Sequence, residues 1–254
     1  MLEGIETGYE GKYDFPPRSA APGLAYLLGS VPRTGSTWLS HLLWSSGCLG
    51  APLEYLNFDE AGPYGFASRS LPQQQGLWRS VLRRRTSPNG VFGVKCFPSQ
   101  LQQLQEGHPA LLTEVLSTVL SSRPPRIVWL GRRDEIAHAV SYARAILSGV
   151  WRKEQEAGGE PRVEYSDIAI ERARGLLDGQ LAAWEEMFRE LRIEPLRLWY
   201  EDVIAAPEDT VRRVANYLGV ELRPEAAVTV PAVKKQSEAE SAEWVSRYLA
   251  AKGS

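Results

Sequence analysis

The segment VPRTGST, residues 31–37, joins an apolar run to an amphipathic stretch and carries one arginine, one glycine and three hydroxyl side chains. The free backbone N–H groups at the start of a helix attract phosphate-like anions. Gly35 permits the tight turn that such a site needs, and Arg33 adds a positive charge. The segment therefore predicts an anion-binding loop formed by Arg33, Thr34, Gly35, Ser36 and Thr37.

This loop departs from the usual phosphate-loop signature, Gly-x-x-x-x-Gly-Lys-Ser/Thr. Arg33 supplies the cation that a lysine supplies in a nucleotide triphosphatase, and the Lys-Ser/Thr pair whose hydroxyl holds magnesium is missing. The loop is thus suited to an anion, but not to a magnesium triphosphate. The competing interpretation is a Gly/Ser turn that only caps a helix.

A second basic junction lies at residues 131–134, where two arginines follow the apolar run Arg126–Leu130. In open α/β sheets, ligands bind at the carboxyl ends of the strands. Ser141 comes eight residues after Arg133 on the same predicted helix, so both side chains are candidates for contacting one phosphate. The competing interpretation is a solvated pair of arginines at the end of a strand.

Short apolar runs alternate with helical periodicity along the chain, which is typical of a parallel-sheet α/β domain. The predicted strands are Ala25–Val31, Val91–Cys96, Arg126–Leu130 and Leu196–Tyr200. Residues 51–75 have low periodicity and predict a functional loop at the mouth of the sheet. We therefore expect a P-loop-like, three-layer αβα fold with a central, mainly parallel sheet.

The chain has 254 residues and a formal net charge of −2. Its length suits one large domain, which we place at residues 24–252, after an irregular lead-in at residues 1–23. The balanced charge argues against a nucleic-acid partner. Two widely spaced cysteines, Cys48 and Cys96, argue against a zinc site and favour a reducing, cytoplasmic setting. The apolar runs are far shorter than the roughly 20 residues of a transmembrane segment.

The pairing of the VPRTGST loop with Arg133 and Ser141 resembles the sulfotransferases that use 3′-phosphoadenosine 5′-phosphosulfate (PAPS). More narrowly, the chain is similar to the bacterial trehalose 2-sulfotransferase-like (Stf0-type) family over residues 24–250. The matching stretches are PLEY (52–55), SPNGVFGVK (87–95), residues 133–151, Glu164-Tyr165 and EWVSRY (243–248).

The resemblance implies an enzyme that moves a sulfuryl group from PAPS to a hydroxyl of a carbohydrate or glycolipid and releases adenosine 3′,5′-bisphosphate. In that family the first loop, here residues 33–37, holds the 5′-phosphosulfate, while Arg133 and Ser141 hold the 3′-phosphate. A glutamate at the position of Glu54 is the general base. Sulfuryl transfer requires no divalent metal, so an arginine in place of the lysine is expected, and the family resemblance also makes a homodimer an expectation.

Two further groups of basic residues are candidates. Lys95, at the end of the second predicted strand, either stabilises the bridging oxygen during catalysis, together with Arg33, or is a core lysine that reaches solvent. Lys234 and Lys235 lie where other sulfotransferases close a basic segment over the 3′-phosphate. For these two, a solvated run of charges is the alternative.

The acceptor side offers weaker candidates. The aromatic residues that could stack on a sugar are Trp78, Trp151 and Tyr165, with core packing as the alternative. The basic run Arg79–Arg85 either attracts an anionic acceptor or is a solvated helix face. The histidines, which rank below Glu54 as bases, are His41, His108 and His138.

Two other functions remain open at this point. One is a P-loop small-molecule kinase, against which the missing Gly-Lys-Ser/Thr stands. The other is a non-catalytic protein that binds a nucleotide or a glycan. The acceptor is also open, because residues 55–60 and 62–85 depart from the pattern of the trehalose enzymes.

Overall fold

The computed structural model describes residues 6–60, 62–67, 69–151, 163–223, 228–232 and 239–252. Its centre is a sheet of four parallel strands in the order β2-β1-β3-β4. The strands are β1 (Leu24–Ser30), β2 (Val91–Cys96), β3 (Ile127–Gly131) and β4 (Leu196–Trp199). Because the strands are parallel, their four carboxyl ends meet at one edge of the sheet, where ligands bind in such folds.

The helices are α1 (Ser36–Ser45), α2 (Leu71–Arg84), α3 (Pro98–Gly107), α4 (Pro109–Val119), α5 (Glu135–Ser148), α6 (Asp167–Leu191), α7 (Tyr200–Ala205), α8 (Pro207–Leu218) and α9 (Ala239–Lys252). Four of them, α2, α3, α4 and α8, have a proline in their first turn. Proline is tolerated there because the N–H that it lacks has no partner inside the helix.

Successive strand residues point to opposite faces of the sheet and so enter two separate apolar layers. Tyr26 and Leu28 of β1 pack in the layer that α1 and α8 cover. Ala25 and Leu27 pack in the other layer, which α2, α4 and α6 cover. The predicted three-layer αβα fold is confirmed, and the described strands are all parallel.

The predicted strands are found within one residue at each end. Three helices were not predicted: α3, α7 and α9. Of these, α7 begins at Tyr200, the residue that we expected to end the fourth strand. Residues 71–75 also belong to a helix, α2, rather than to the predicted functional loop.

The lead-in is irregular over its described part, residues 6–23, apart from one short 3-10 turn at Gly11–Tyr13. It is nevertheless packed on the domain, since Tyr13 and Phe15 are buried. Among the described residues, no helix combines the length and the apolar character that crossing a bilayer requires.

Candidate active site

The predicted anion-binding loop lies between β1 and α1, at the carboxyl edge of the sheet. Gly35 is the N-cap of α1 and has a left-handed backbone, with φ at 78°. A Cβ at this position would lie 2.6 Å from the ring of Tyr200, so a side chain is excluded by both strain and space. Ser36 and Thr37 form the beginning of α1 directly after this glycine.

Thr34 supports the loop from inside. Its side chain is fully buried. Its hydroxyl donates to the carbonyl oxygen of Val31 at 3.0 Å and also contacts the hydroxyl of Ser30. These contacts hold the loop in shape. The Thr34 side chain thus stabilises the loop conformation. The hydroxyl groups in the first turn of α1 belong to Ser36 and Thr37.

Arg33 brings the two predicted anion sites together. Its Nε donates to the hydroxyl of Ser141 on α5 at 3.1 Å, and its Nη1 donates to the carbonyl oxygen of Trp151 at 2.8 Å. Ser141 was expected to share a ligand with Arg133, but in the structure it is joined to Arg33. The first loop and the α5 helix therefore line one common basic site.

Arg133 forms an ion pair with α7. Its two terminal nitrogens form a bidentate pair with the carboxylate of Asp202 on α7, at 2.6 Å each. The hydrogen bonds from Arg133 lower the pKa of Asp202, so this carboxylate is charged. The guanidinium is half exposed, and two of its five N–H groups are directed at Asp202.

Arg132 was not singled out from the sequence. Its guanidinium lies over the ring of Tyr200 at 5.1 Å, and the same ring packs against Gly35. The neighbouring backbone N–H groups of Arg133 and Asp134 donate to Glu201. The signal in the sequence was the adjacent pair of arginines, but spacing could not tell which of the two faces the loop.

His138 on α5 supports the loop through a buried hydrogen bond. Its Nε2 lies 2.7 Å from the carbonyl oxygen of Pro32, which can only accept, so Nε2 carries the proton. Burial, with smaller contributions from the nearby charges of Arg132 and Arg33, lowers the pKa of His138 to about 4, against the opposing effects of the hydrogen bond to Pro32 and the charge of Glu201. The ring is therefore neutral at pH 7.

The candidate base lies on the other side of the first helical turn. Lys95 is 1% exposed, and its Nζ is 3.0 Å from the hydroxyl of Thr37 and 2.8 Å from Oε1 of Glu54. Alternation along β2 explains this direction, since Val94 and Cys96 face the opposite layer. One buried ammonium thus links the anion-binding loop to the Glu54 carboxylate.

Glu54 is held from several sides. Its Oε2 accepts a hydrogen bond from Nε2 of Gln100 at 3.1 Å, and its backbone N–H donates to the hydroxyl of Tyr9 at 3.1 Å. The Gln100 side chain is fixed in turn by the backbone N–H of Phe97. Burial and the charge of Glu54 raise the pKa of the Cys96 thiol, which keeps it neutral. Gln100 and Tyr9 lie far from Glu54 in sequence, and no motif indicated them.

The aromatic and basic acceptor candidates are corrected in part. Trp78 is buried against Phe92, so it cannot contact an acceptor. Tyr165 packs on Trp244 and lies under the guanidinium of Arg247, whereas Trp151 is exposed beside the site.

The basic run is not a continuous solvated face either. Arg85 follows the end of α2, is only 3% exposed and pairs with Asp14 of the lead-in. The side chain of Arg85 is therefore buried between the domain and the lead-in.

The other histidine and lysine candidates named from the sequence lie outside the site or outside the described residues. His41 is buried, and its Nδ1 lies 2.9 Å from the carbonyl oxygen of Pro231. His108 occupies the N-cap position of α4 without a side-chain capping hydrogen bond. Lys234 and Lys235 fall outside the described residues. Within the described part of the chain, no group of three or more metal-ligating side chains comes together.

The structure is that of an α/β protein in which the predicted anion-binding loop lies beside an ion pair between the buried Lys95 and Glu54. The family model of Stf0 sulphotransferases matches residues 25–251, so the chain belongs to that family of sulfotransferases.

Curated relatives and solved structures are also similar. Trehalose 2-sulfotransferase of Mycolicibacterium smegmatis is 26% identical over 88% of this chain and 94% of its own length. Trehalose 2-sulfotransferase of Mycobacterium tuberculosis is 27% identical over 89% of this chain and 94% of its own length.

Two solved structures resemble the fold more distantly. The sulfotransferase domain of the Synechococcus olefin synthase has a TM-score of 0.47 and 12% identity, over 92% of this chain and 98% of its own. A sulfotransferase from Alicyclobacillus acidocaldarius has a TM-score of 0.44 and 17% identity, over 91% of this chain and 92% of its own.

Proposed function

We propose that this sulfotransferase moves the sulfuryl group of PAPS to a hydroxyl of a carbohydrate or glycolipid acceptor, with Glu54 as the general base. The observation that carries the proposal is the position of Lys95. Its Nζ contacts Thr37 in the anion-binding loop and Glu54 at the same time. A sulfuryl donor bound at the loop and an acceptor hydroxyl bound at Glu54 would therefore both lie next to the Lys95 ammonium group.

Each residue then has a task in the transfer. Glu54 takes the proton of the acceptor hydroxyl as the acceptor oxygen forms its bond to sulfur. The bond between sulfur and the bridging oxygen of the donor breaks, and adenosine 3′,5′-bisphosphate leaves. Lys95 and Arg33 stabilise the negative charge on the bridging and terminal oxygens, where preorganised cations have their largest effect.

The proposed donor site has two parts. The N–H groups at the start of α1, with the hydroxyls of Ser36 and Thr37, would hold the 5′-phosphosulfate, because a helix N-terminus favours anions. Arg133 and Ser141 would hold the 3′-phosphate. Support comes from Ser141, which lies against Arg33, and from the N–H groups of Arg133 that are not directed at Asp202.

The acceptor is proposed from the relatives. Both curated relatives are named for transfer to trehalose, which makes a carbohydrate hydroxyl the first class to test. A glycolipid acceptor and homodimerisation are parts of the same proposal. The cytoplasmic setting stays a prediction from cysteine usage.

The test compares Glu54→Gln with the matched control Glu60→Gln. Glu60 lies in the same irregular segment, and its exposed carboxylate contacts Arg69. With PAPS and trehalose, we expect kcat to fall by about 10²–10⁴-fold in Glu54→Gln and to stay near the wild-type value in Glu60→Gln. Calorimetry should show that both variants bind adenosine 3′,5′-bisphosphate like the wild type.

Two results would contradict the proposal. Full turnover in Glu54→Gln would remove Glu54 as the base. Equal binding of ATP and adenosine 3′,5′-bisphosphate by the wild type would show that the site does not select a 3′-phosphate, and would favour a kinase-like donor.

A further inference from the structure

The residues from Glu6 to Phe15 lie before the segment that the family model matches, yet they are packed tightly on the domain. We call this segment the strap. The ring of Tyr13 meets Trp44 of α1 edge to face, with centroids 5.9 Å apart. Gly8 lies so close to the same tryptophan that a Cβ would be 3.0 Å from it. The strap is therefore part of the folded domain.

Arg85 binds the strap through hydrogen bonds and an ion pair. Its Nη1 donates to the carbonyl oxygen of Gly8 at 2.8 Å, and its Nη2 donates to that of Glu10 at 3.2 Å. Its Nε lies 2.9 Å from the carboxylate of Asp14. A buried guanidinium is tolerated only when its charge and its donors are satisfied, and here the strap supplies these partners.

A small turn inside the strap orients Tyr9. One carboxylate oxygen of Glu10 accepts hydrogen bonds from the backbone N–H and the hydroxyl of Thr7, at 2.9 and 3.0 Å. The other accepts from the backbone N–H of Gly8 at 2.8 Å. The backbone on both sides of Tyr9 is thereby fixed, and its side chain is directed toward the sheet edge.

The hydroxyl of Tyr9 reaches the candidate base. It accepts a hydrogen bond from the backbone N–H of Glu54 at 3.1 Å. The ring of Tyr9 meets Tyr55 and Tyr64 edge to face, with centroids 6.3 and 5.3 Å apart. Tyr64 in turn contacts Phe66, whose ring is 63% exposed. Aromatic side chains thus lead from the Glu54 backbone to the surface.

We propose that Tyr9 is a positioning residue for Glu54 and that the strap forms part of the acceptor side of the active site. This inference rests on the proposed role of Glu54 as the base. Glu54 belongs to an irregular segment without a strand or helix to hold it. Gln100 fixes its carboxylate and Tyr9 fixes its backbone, and a base held at both ends keeps one orientation toward the acceptor.

The test removes one hydroxyl from the strap at a time. Tyr9→Phe deletes the acceptor of the Glu54 N–H, and Tyr13→Phe is the matched control, because its hydroxyl contacts Glu6 instead. Hydrogen exchange of the Glu54 amide is measured by NMR without any ligand. PAPS turnover is measured with trehalose as the probe acceptor and, in parallel, with water alone. Each kcat is divided by the calorimetric number of sites that bind adenosine 3′,5′-bisphosphate.

In Tyr9→Phe we expect the Glu54 amide to exchange about tenfold faster and kcat per binding site to fall about three- to tenfold, the effect of one lost hydrogen bond. The KM for PAPS stays unchanged. Tyr13→Phe matches the wild type in all of these quantities. A second variant, Glu10→Ala, loosens the turn but keeps the Tyr9 hydroxyl, and it shifts exchange and kcat in the same direction.

Other results overturn the inference. If Tyr9→Phe keeps the wild-type exchange rate or the wild-type kcat per site, Tyr9 does not position the base. If Tyr13→Phe loses as much kcat as Tyr9→Phe, the strap has a structural role alone. A wild-type protein that binds the nucleotide without any turnover contradicts the proposed function itself, and this inference then falls with it.

Discussion

The proposed donor half and the proposed acceptor half of the candidate site are built in different ways. The donor half consists of short junctions, residues 31–37 and residues 131–141, each running from a strand into a helix. The acceptor half joins Tyr9, Glu54, Lys95 and Gln100, which come from four separate segments. A phosphate group can be held by one loop and one helix start, whereas a base next to a variable acceptor needs support from several directions. The donor half is therefore local in sequence, and the acceptor half depends on the tertiary fold.

Lys95 connects the two halves, so its removal should have the largest effect. In Lys95→Met we expect kcat to fall by about 10²–10³-fold, because the bridging oxygen loses its cation, whereas adenosine 3′,5′-bisphosphate still binds at the helix start. Steady-state kinetics and calorimetry check this. The variant also leaves Glu54, 15% exposed, without its ammonium partner.

A double variant separates stability from catalysis at this pair. Adding Glu54→Gln to Lys95→Met removes the unpaired charge and is expected to recover part of the lost unfolding free energy, but not the activity. A Lys95→Met protein with wild-type kcat would show that the two halves are not coupled through this ammonium.

The buried His138 of the donor half is expected to make the folding stability depend on pH. Its pKa is lowered from 6.5 to about 4 in the folded protein, so the unfolded chain binds a proton between these values and the folded one does not. Stability is thus fully present above pH 6.5 and falls as the pH drops toward 4, by about 2 kcal/mol at pH 5 for this group.

The matched variant for this test is His138→Gln, whose amide can still donate to the Pro32 carbonyl. Urea unfolding at pH 7.5 and pH 5 should show a smaller loss of stability in the variant than in the wild type. Identical losses in the two proteins would mean that His138 is not held neutral by its buried position.

The smallest expected effect is the loss of nucleotide affinity when either of the two adjacent arginines of the donor half is replaced. We expect Arg133→Ala and Arg132→Ala each to weaken binding of adenosine 3′,5′-bisphosphate about tenfold, or 1.4 kcal/mol. The affinity for adenosine 5′-phosphate distinguishes them. It should be unchanged in Arg133→Ala, if that side chain contacts the 3′-phosphate, and weakened in Arg132→Ala, whose guanidinium lies over Tyr200 beside the loop.

Calorimetry with both nucleotides decides this point. If Arg133→Ala binds both nucleotides like the wild type, its pair with Asp202 is a structural contact, and the 3′-phosphate is held by other residues.

Much of the donor half was predictable because its residues are close in sequence. The loop at residues 31–37 and the helix after Arg133 follow directly from strand ends, capping residues and glycine. The pairing of Ser141 with Arg33 was not predictable, since it depends on how α5 crosses the end of β1. Arg85 was expected in a basic helix face, and its burial depends on the position of the lead-in.

By itself, the amino-acid sequence determined the layered α/β fold, the parallel strands and the tight loop between β1 and α1. These features depend on hydrophobic periodicity and local backbone chemistry, which act over a few residues. The tertiary structure alone decided which distant side chains surround Glu54. Lys95, Gln100 and Tyr9 meet there because parallel strands bring their carboxyl ends to one edge and the strap packs across α1, and such contacts have no signature in residue spacing.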